Sequence, residues 1–317
     1  MSEKYTISYL LGGAWSDLKK NFGLYALILF LLYFVPMSIY TVYDTVNYFD
    51  LEAVINSGDY VANLPQILAQ VGFGIILTLL SALGTLMLVY HLLKKNAPSD
   101  FFDLLNSASK YYFKVIGALL LVFLIMIVPL FLFLSGMVAL IFAGLVIVVA
   151  LSIYLSFTQH FIIDENKSVL DSIRSSFLLV SGNWWGVFGR LFVFGLIAFS
   201  VFFAFSIVLG VFLGLIFGFE AVLLGTIPLS VAIIINLISG LAYVPFMIFY
   251  IAFVVRLYLG LKDKKALGVD SLKKDEVLVL KEEVDAVDVV LKEAETKSSG
   301  KVVKKQVKKQ IKKQVKK

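Results

Sequence analysis

Few side chains in this sequence could act as acid, base, nucleophile or metal ligand. There are 2 histidines and no cysteine. His91 and His160, with Asp164 one helical turn after His160, are residue types that bind divalent metal. A third and fourth ligand are not evident at suitable spacing, and an interfacial imidazole meeting headgroups or water is the competing role. Without cysteine there is no thiolate chemistry and no disulfide framework. Phosphate-cradling glycine loops and nucleophile elbows are absent as well. The pattern therefore predicts no catalytic residues, no metal and no cofactor, and a protein that is not an enzyme.

The remaining polar groups sit next to apolar runs. Arg190 and Arg256 fall near the ends of such runs, where snorkelling of a long side chain explains them. Asn236 is an amide within a run, expected to hydrogen-bond another helix. Trp15, Trp184, Trp185, Arg174 and Arg190 form the candidate interfacial, lipid-facing set, with Tyr40 and Tyr43 as further belt aromatics. Gly210, Gly214 and Gly218, at spacing four, offer a small face for close helix approach, either inside the molecule or against a second copy.

The elements that must position these residues follow from composition. Of 317 residues, 60% are hydrophobic and 16% charged, and mean hydropathy is +0.93. The segment 118–149 carries no ionisable residue, longer than the ~20 apolar residues that cross a bilayer core. A soluble enzyme, a secreted domain and a DNA-binding module are excluded as the main body. The expected fold is all-α, a polytopic membrane bundle of six transmembrane helices over about 22–43, 66–92, 115–134, 137–161, 187–216 and 229–258. The third and fourth spans form one apolar stretch interrupted by Ser135-Gly136, which predicts a tight hairpin. The first run exceeds the ~7–15 residues of a signal-peptide core and is expected to be retained.

Charge predicts the topology. All 28 basic residues lie on one side of these spans, and the opposite loops hold Asp44, Asp50, Glu52, Asp59 and Glu220. Both termini are therefore expected in the cytoplasm of a multi-pass cell-membrane protein.

Each basic-side approach to a span has the same form. Ile7, Leu10, Leu11, Ala14, Trp15 and Leu18 make an amphipathic stripe before span one. Phe101, Leu104, Leu105, Ala108, Tyr111 and Tyr112 repeat it before span three. Val169, Leu170, Ile173, Phe177 and Val180 do so before span five, where Ser168 and Asp171 have capping-box spacing. Ala14-Trp15 leads to Asn21-Phe22 at the distance by which Ser176-Phe177 leads to Asn183-Trp184; Ala108-Ser109 leads likewise to Val115-Ile116. Three units of interfacial amphipathic helix plus transmembrane hairpin are expected.

The stretch VLDSIRSSFLLVSGNWW, residues 169–185, resembles the helix-plus-aromatic signature of a prokaryotic family: the membrane domains related to glycerophosphoryl diester phosphodiesterases, with their many uncharacterised relatives. AWSDLKKNF, residues 14–22, looks like that family's opening. The resemblance covers most of residues 5–260. It implies a membrane domain that in some members is joined to a soluble phosphodiesterase barrel and in most stands alone. A barrel takes ~250 residues, and 57 follow Gly260 here. The catalytic residues of that barrel have no counterpart, and hydrolase activity is not implied.

Two domains are expected: the six-span body, 1–260, and a cytoplasmic, charged, low-complexity tail, 261–317. The last 17 residues hold nine lysines and no acid, leaving the rest of the chain at −3 although the whole is at +6. Val303, Val307, Ile311 and Val315 recur every four residues. Lys304, Lys305, Lys308, Lys309, Lys312 and Lys313 are the candidate contacts to an anionic surface, either lipid headgroups or another polyanion; a solvated extension is the competing reading. The expected partners are the lipid bilayer, an unidentified protein and a second copy. The functional expectation is a non-enzymatic membrane scaffold or lipid-interacting component; the alternative is a small-molecule or lipid transporter or channel with a path between the hairpins.

Overall fold

The computed structural model describes residues 6–47, 63–133, 137–218 and 228–297. The chain divides into two compact units, Met1–Lys262 and Asp263–Lys317. Among the described residues there is helix and no strand. Six helices are long and apolar enough to cross a bilayer: Ile7–Asp44, Leu64–Leu93, Tyr112–Leu132, Val138–Glu165, Trp184–Phe217 and Ile233–Lys265. This is an all-α, six-span bundle. Ser135, Gly136 and Glu220, with Asp50, Glu52 and Asp59, lie outside the described residues, as do Lys304, Lys305, Lys308, Lys309, Lys312 and Lys313.

In chain order the helices are α1 (Ile7–Leu29), a π-helical turn (Phe30–Phe34), α2 (Val35–Asn47), α3 (Leu64–Leu93), α4 (Phe101–Ser109), α5 (Tyr112–Phe133), α6 (Val138–Leu155), α7 (Thr158–Glu165), α8 (Val169–Val180), α9 (Trp184–Phe217) and α10 (Leu229–Lys297). In the second unit residues 263–297 are helical. The π turn has a local cause. Pro36 has no N–H and its ring crowds the carbonyl four residues earlier, so the helix widens just ahead of it, and the Val35 N–H donates to the Phe30 carbonyl.

The sequence stripes before spans one, three and five are helices that start in one register. Thr6, Asp100 and Ser168 are the N-caps, and each side chain accepts from the first turn: from the Tyr9 N–H, from the Phe102 and Asp103 N–H groups, and from the Asp171 N–H. Such caps satisfy backbone donors the helix leaves orphaned. Four residues beyond the caps stand Leu10, Leu104 and Ser172, and eight beyond stand Ala14, Ala108 and Ser176; all six are fully buried. A small residue at the second position lets each helix lie close to the body.

Each lead-in helix then turns into its span. In α1 the turn is a kink at Asn21, with φ −124° and ψ 24°. Asn183, in the matching register before α9, has φ −138° and ψ 24°. The middle unit turns earlier, at Lys110 and Tyr111. The element order helix, span, span thus occurs three times.

The buried residues gather toward the basic end. One cluster joins Leu18, Tyr25 and Ile28 of α1 to residues 86–89 of α3, Leu104 and Ala108 of α4, Ile162 and Ile163 of α7, and Ile248 and Val255 of α10. A second joins Leu10 and Ala14 to Ile153, Phe157, Leu179, Val187, Phe194, Phe253 and Tyr258. Away from that end, both faces of α5, α6 and α9 present large apolar side chains outward, among them Phe123, Phe131, Phe142, Phe199 and Phe212. Burying a polar surface there would cost far more than leaving hydrocarbon in contact with lipid, so this is the composition a bilayer selects.

Candidate functional site, the collar at the basic end

The site is built where the second arm of each unit meets the lead-in helix of the next. Residues 86–89 of α3 pack with Leu104 and Ala108 of α4. Between α6 and α7 the span is broken at Ser156 and Phe157, and Ser176 of α8 fills the break. Its hydroxyl donates to the Tyr154 carbonyl at 2.6 Å and accepts from the Phe157 N–H at 3.1 Å. A single side chain therefore satisfies two backbone groups that the broken helix leaves open.

The third junction joins α10 to α1. Arg256 donates through Nε to Oδ2 of Asp17 at 2.7 Å and through Nη2 to Oδ1 at 2.8 Å. This two-bond fork is the strongest geometry an arginine and a carboxylate can adopt. It lies over Gly13, where a Cβ would stand 2.5 Å from the guanidinium carbon. Trp15 meets Phe249 of α10 edge-on at 6.2 Å. Arg256 is therefore not a snorkelling arginine as its position suggested; its charge is paired with an acid far away in the sequence.

Asp164 is a second focus. Its Oδ2 accepts from the Tyr258 hydroxyl at 2.9 Å and from Lys262 at 2.6 Å, and its backbone carbonyl accepts from Lys94 at 2.8 Å. Lys262 also reaches Glu165 at 2.7 Å, and Lys167 meets the other Glu165 oxygen at 2.7 Å. Asn166 ends α7 in the left-handed conformation, φ 52°, and accepts from Lys114 at 2.8 Å. Asparagine tolerates this conformation better than most residues. The basic end is thus crosslinked by charge-assisted bonds among α3, α5, α7 and α10.

The two histidines have different surroundings. His91 is half-buried, and its Nδ1 shares a 2.9 Å hydrogen bond with the Tyr25 hydroxyl. His160 is buried beside Tyr258, ring centres 5.3 Å apart, and neither ring nitrogen has a partner. Among the described residues, no group of three or more His, Asp or Glu could hold a metal ion.

The interfacial set divides. Trp15 and Trp185 are exposed, the first with Lys19 5.0 Å over its ring. Trp184 is half-buried and stacks on Phe188 at 5.2 Å. Arg190 folds back on the Gly186 carbonyl at 2.5 Å, toward the basic end, as a snorkelling side chain does. Arg174 is exposed on α8.

Asn236 is exposed rather than turned to another helix. Twenty residues of helix separate it from Arg256, about 30 Å, which puts it one hydrocarbon thickness from the basic end. Near that same far end, Tyr40 donates to Gln70 at 2.6 Å, and Gln70 donates to Asp44 at 2.6 Å. Gly214 is buried, whereas a Cβ on Gly210 would meet open space.

Sequence reasoning missed Asp17, Gly13, Ser176, Tyr25, Tyr258 and Lys262 as working residues. The only early signal was the small residue recurring at Ala14, Ala108 and Ser176. No family model matches the chain, and neither a curated protein nor a solved structure matches it.

Proposed function

We propose that this chain is a non-enzymatic component of the cell membrane, with both termini in the cytoplasm, whose collar of three lead-in helices organises lipid or a protein partner at the inner membrane boundary. The observation that carries this reading is the common register of the three helices. Each is capped at the same position, buries the same two positions and turns into a span, while exposing aromatic or aliphatic groups such as Trp15, Phe102 and Leu170. Helices of this kind, next to spans and flanked by lysine and arginine, suit the interface of a bilayer. The resemblance to phosphodiesterase-associated membrane domains that stand alone is in keeping with this role and belongs to the same proposal.

Native mass spectrometry of the protein, extracted in a detergent that preserves bound lipid, tests it. The expected result is lipid or a protein partner retained at fixed stoichiometry; a protein stripped bare under conditions that keep it folded counts against it. Orientation has its own test. The sequence holds no cysteine, so Lys264→Cys creates a unique thiol that should react with an impermeant maleimide only after cells are opened.

The transporter reading is favoured by one observation, the buried imidazole of His160 with both nitrogens unpartnered near Asp164. Ionisable groups inside spans commonly mark proton paths. Proton flux in reconstituted vesicles that is lost in His160→Phe would move the conclusion to that class.

A further inference from the structure

We propose that α8 carries a binding site for one anionic phospholipid, with the Arg174 guanidinium on the lipid phosphate. This rests on the reading of the lead-in helices as interfacial and names the ligand of one of them.

The three helices share a register, so their outward faces can be compared position by position. Six residues after the N-cap stand Gly12 in α1, Asn106 in α4 and Arg174 in α8, and all three are exposed. The charge belongs to α8 alone. Around it the outward face of α8 is apolar: Leu170 lies four residues before Arg174, with Phe177 and Leu178 three and four residues after. These four share one side of the helix. Leu170 is 70% exposed and Phe177 45% exposed. Beyond the turn into α9, Trp185 is 76% exposed, so the apolar surface continues toward the span.

An arginine set in an apolar exposed stripe is placed to take an anion from outside the protein. Among the described residues it has no ion-pair or hydrogen-bond partner. The nearest acid in sequence, Asp171, is occupied as the acceptor of the Ser168 hydroxyl at 2.6 Å and lies at the start of the helix. The basic residues nearest it in sequence on either side are engaged elsewhere: Lys167 with Glu165 and Ser175, Arg190 with the Gly186 carbonyl. At the boundary of a bilayer the missing anion is the phosphate layer, and a planar guanidinium binds phosphate oxygens through two parallel hydrogen bonds. Leu170, Phe177 and Leu178 would then meet the upper acyl chains, fixing the headgroup by both its charge and its tail. A net negative lipid is preferred over a zwitterion because a choline group adds a repelling positive charge.

The test uses the full-length protein in mild detergent. It is equilibrated with equal amounts of phosphatidylglycerol and phosphatidylcholine of identical acyl chains. Retained lipid is counted by native mass spectrometry at physiological ionic strength, and the variants, which keep every lysine of the chain, isolate the part due to Arg174. Wild type is expected to keep one phosphatidylglycerol. Arg174→Gln should keep about fivefold less, and Arg174→Lys should keep an intermediate amount, because it retains the charge without the fork. Leu170→Ser, which leaves the charge and changes a side chain that is 70% exposed, should also lower retention; it serves as the second variant if Arg174→Gln fails to fold. Unchanged retention in the folded variants overturns the site on α8 while leaving the lipid-interacting reading intact. Wild type with bound lipid but no preference for phosphatidylglycerol overturns the anionic ligand. Wild type with neither bound lipid nor a partner overturns both proposals together.

Discussion

Where the second unit meets the third, a neutral hydroxyl joins them: Ser176 sits between the Tyr154 carbonyl and the Phe157 N–H. Where the third unit meets the first, the join is an ion pair of two bonds, Arg256 on Asp17, across 239 residues of chain. The two junctions occupy equivalent places in the threefold order of elements. They differ in what the backbone already supplies. Between α7 and α8 lie only residues 166–168, so those elements are held near each other by covalent bonds and a modest contact fixes their fit. Between α10 and α1 no short connection exists, and the contact must both find and hold its partner. Stronger, geometrically specific chemistry is placed where chain connectivity gives least help.

The largest effect should come from breaking the ion pair on one side. Arg256→Met leaves a carboxylate at a half-buried site, and Asp17→Asn leaves a guanidinium there; each is expected to cost about 2–3 kcal/mol. Thermal unfolding of the solubilised protein reads this as a lower Tm. The double exchange Asp17→Arg with Arg256→Asp should recover part of the loss, and no recovery would mean the pair is not the join.

Gly13→Val probes the same junction without touching a charge. Its side chain occupies the place of the guanidinium, so the loss should approach that of Arg256→Met. Combined with Arg256→Met it should add little, because both remove one interaction. Full additivity in that double-mutant cycle would detach Gly13 from the ion pair.

At the neutral junction Ser176→Ala should cost about 1–2 kcal/mol, less than either charge variant, since it strands two backbone groups but no ion. A Tm fall as large as that of Asp17→Asn would erase the contrast between the junctions. Smaller still, Thr6→Ala, Asp100→Ala and Ser168→Ala should each cost about 1 kcal/mol. Near-equal losses would extend the equivalence of the three helices from geometry to energy, and one silent cap would single out the odd unit.

The six spans and the three lead-in helices were legible because each is a local property. An apolar run of bilayer length, or a stripe at helical spacing, is written in consecutive residues such as Leu10, Ala14 and Leu18. The register shared by Ala14, Ala108 and Ser176 was also visible, and the middle unit, which has Val115 where the others have an asparagine, keeps the same cap and the same two buried positions. The junctions were not legible. Nothing near Arg256 distinguishes an arginine that snorkels from one that reaches Asp17, because the partner is set by the packing of helices distant in sequence. Asn236 lies within the sixth span, as hydropathy placed it, but is exposed; an apolar run does not say which face of its helix meets a neighbour. The broken helix at Ser156 likewise leaves no mark in hydropathy, since the apolar run passes through it.

The separation of Asp17 from Arg256 also sets a clock. Protein synthesis adds about 5–20 residues each second, so roughly 10–50 s pass between the making of these two residues. Throughout that interval Asp17 has been made and its partner has not. The arginine that completes the pair arrives with the last span, so the collar can close only after the sixth span has been made.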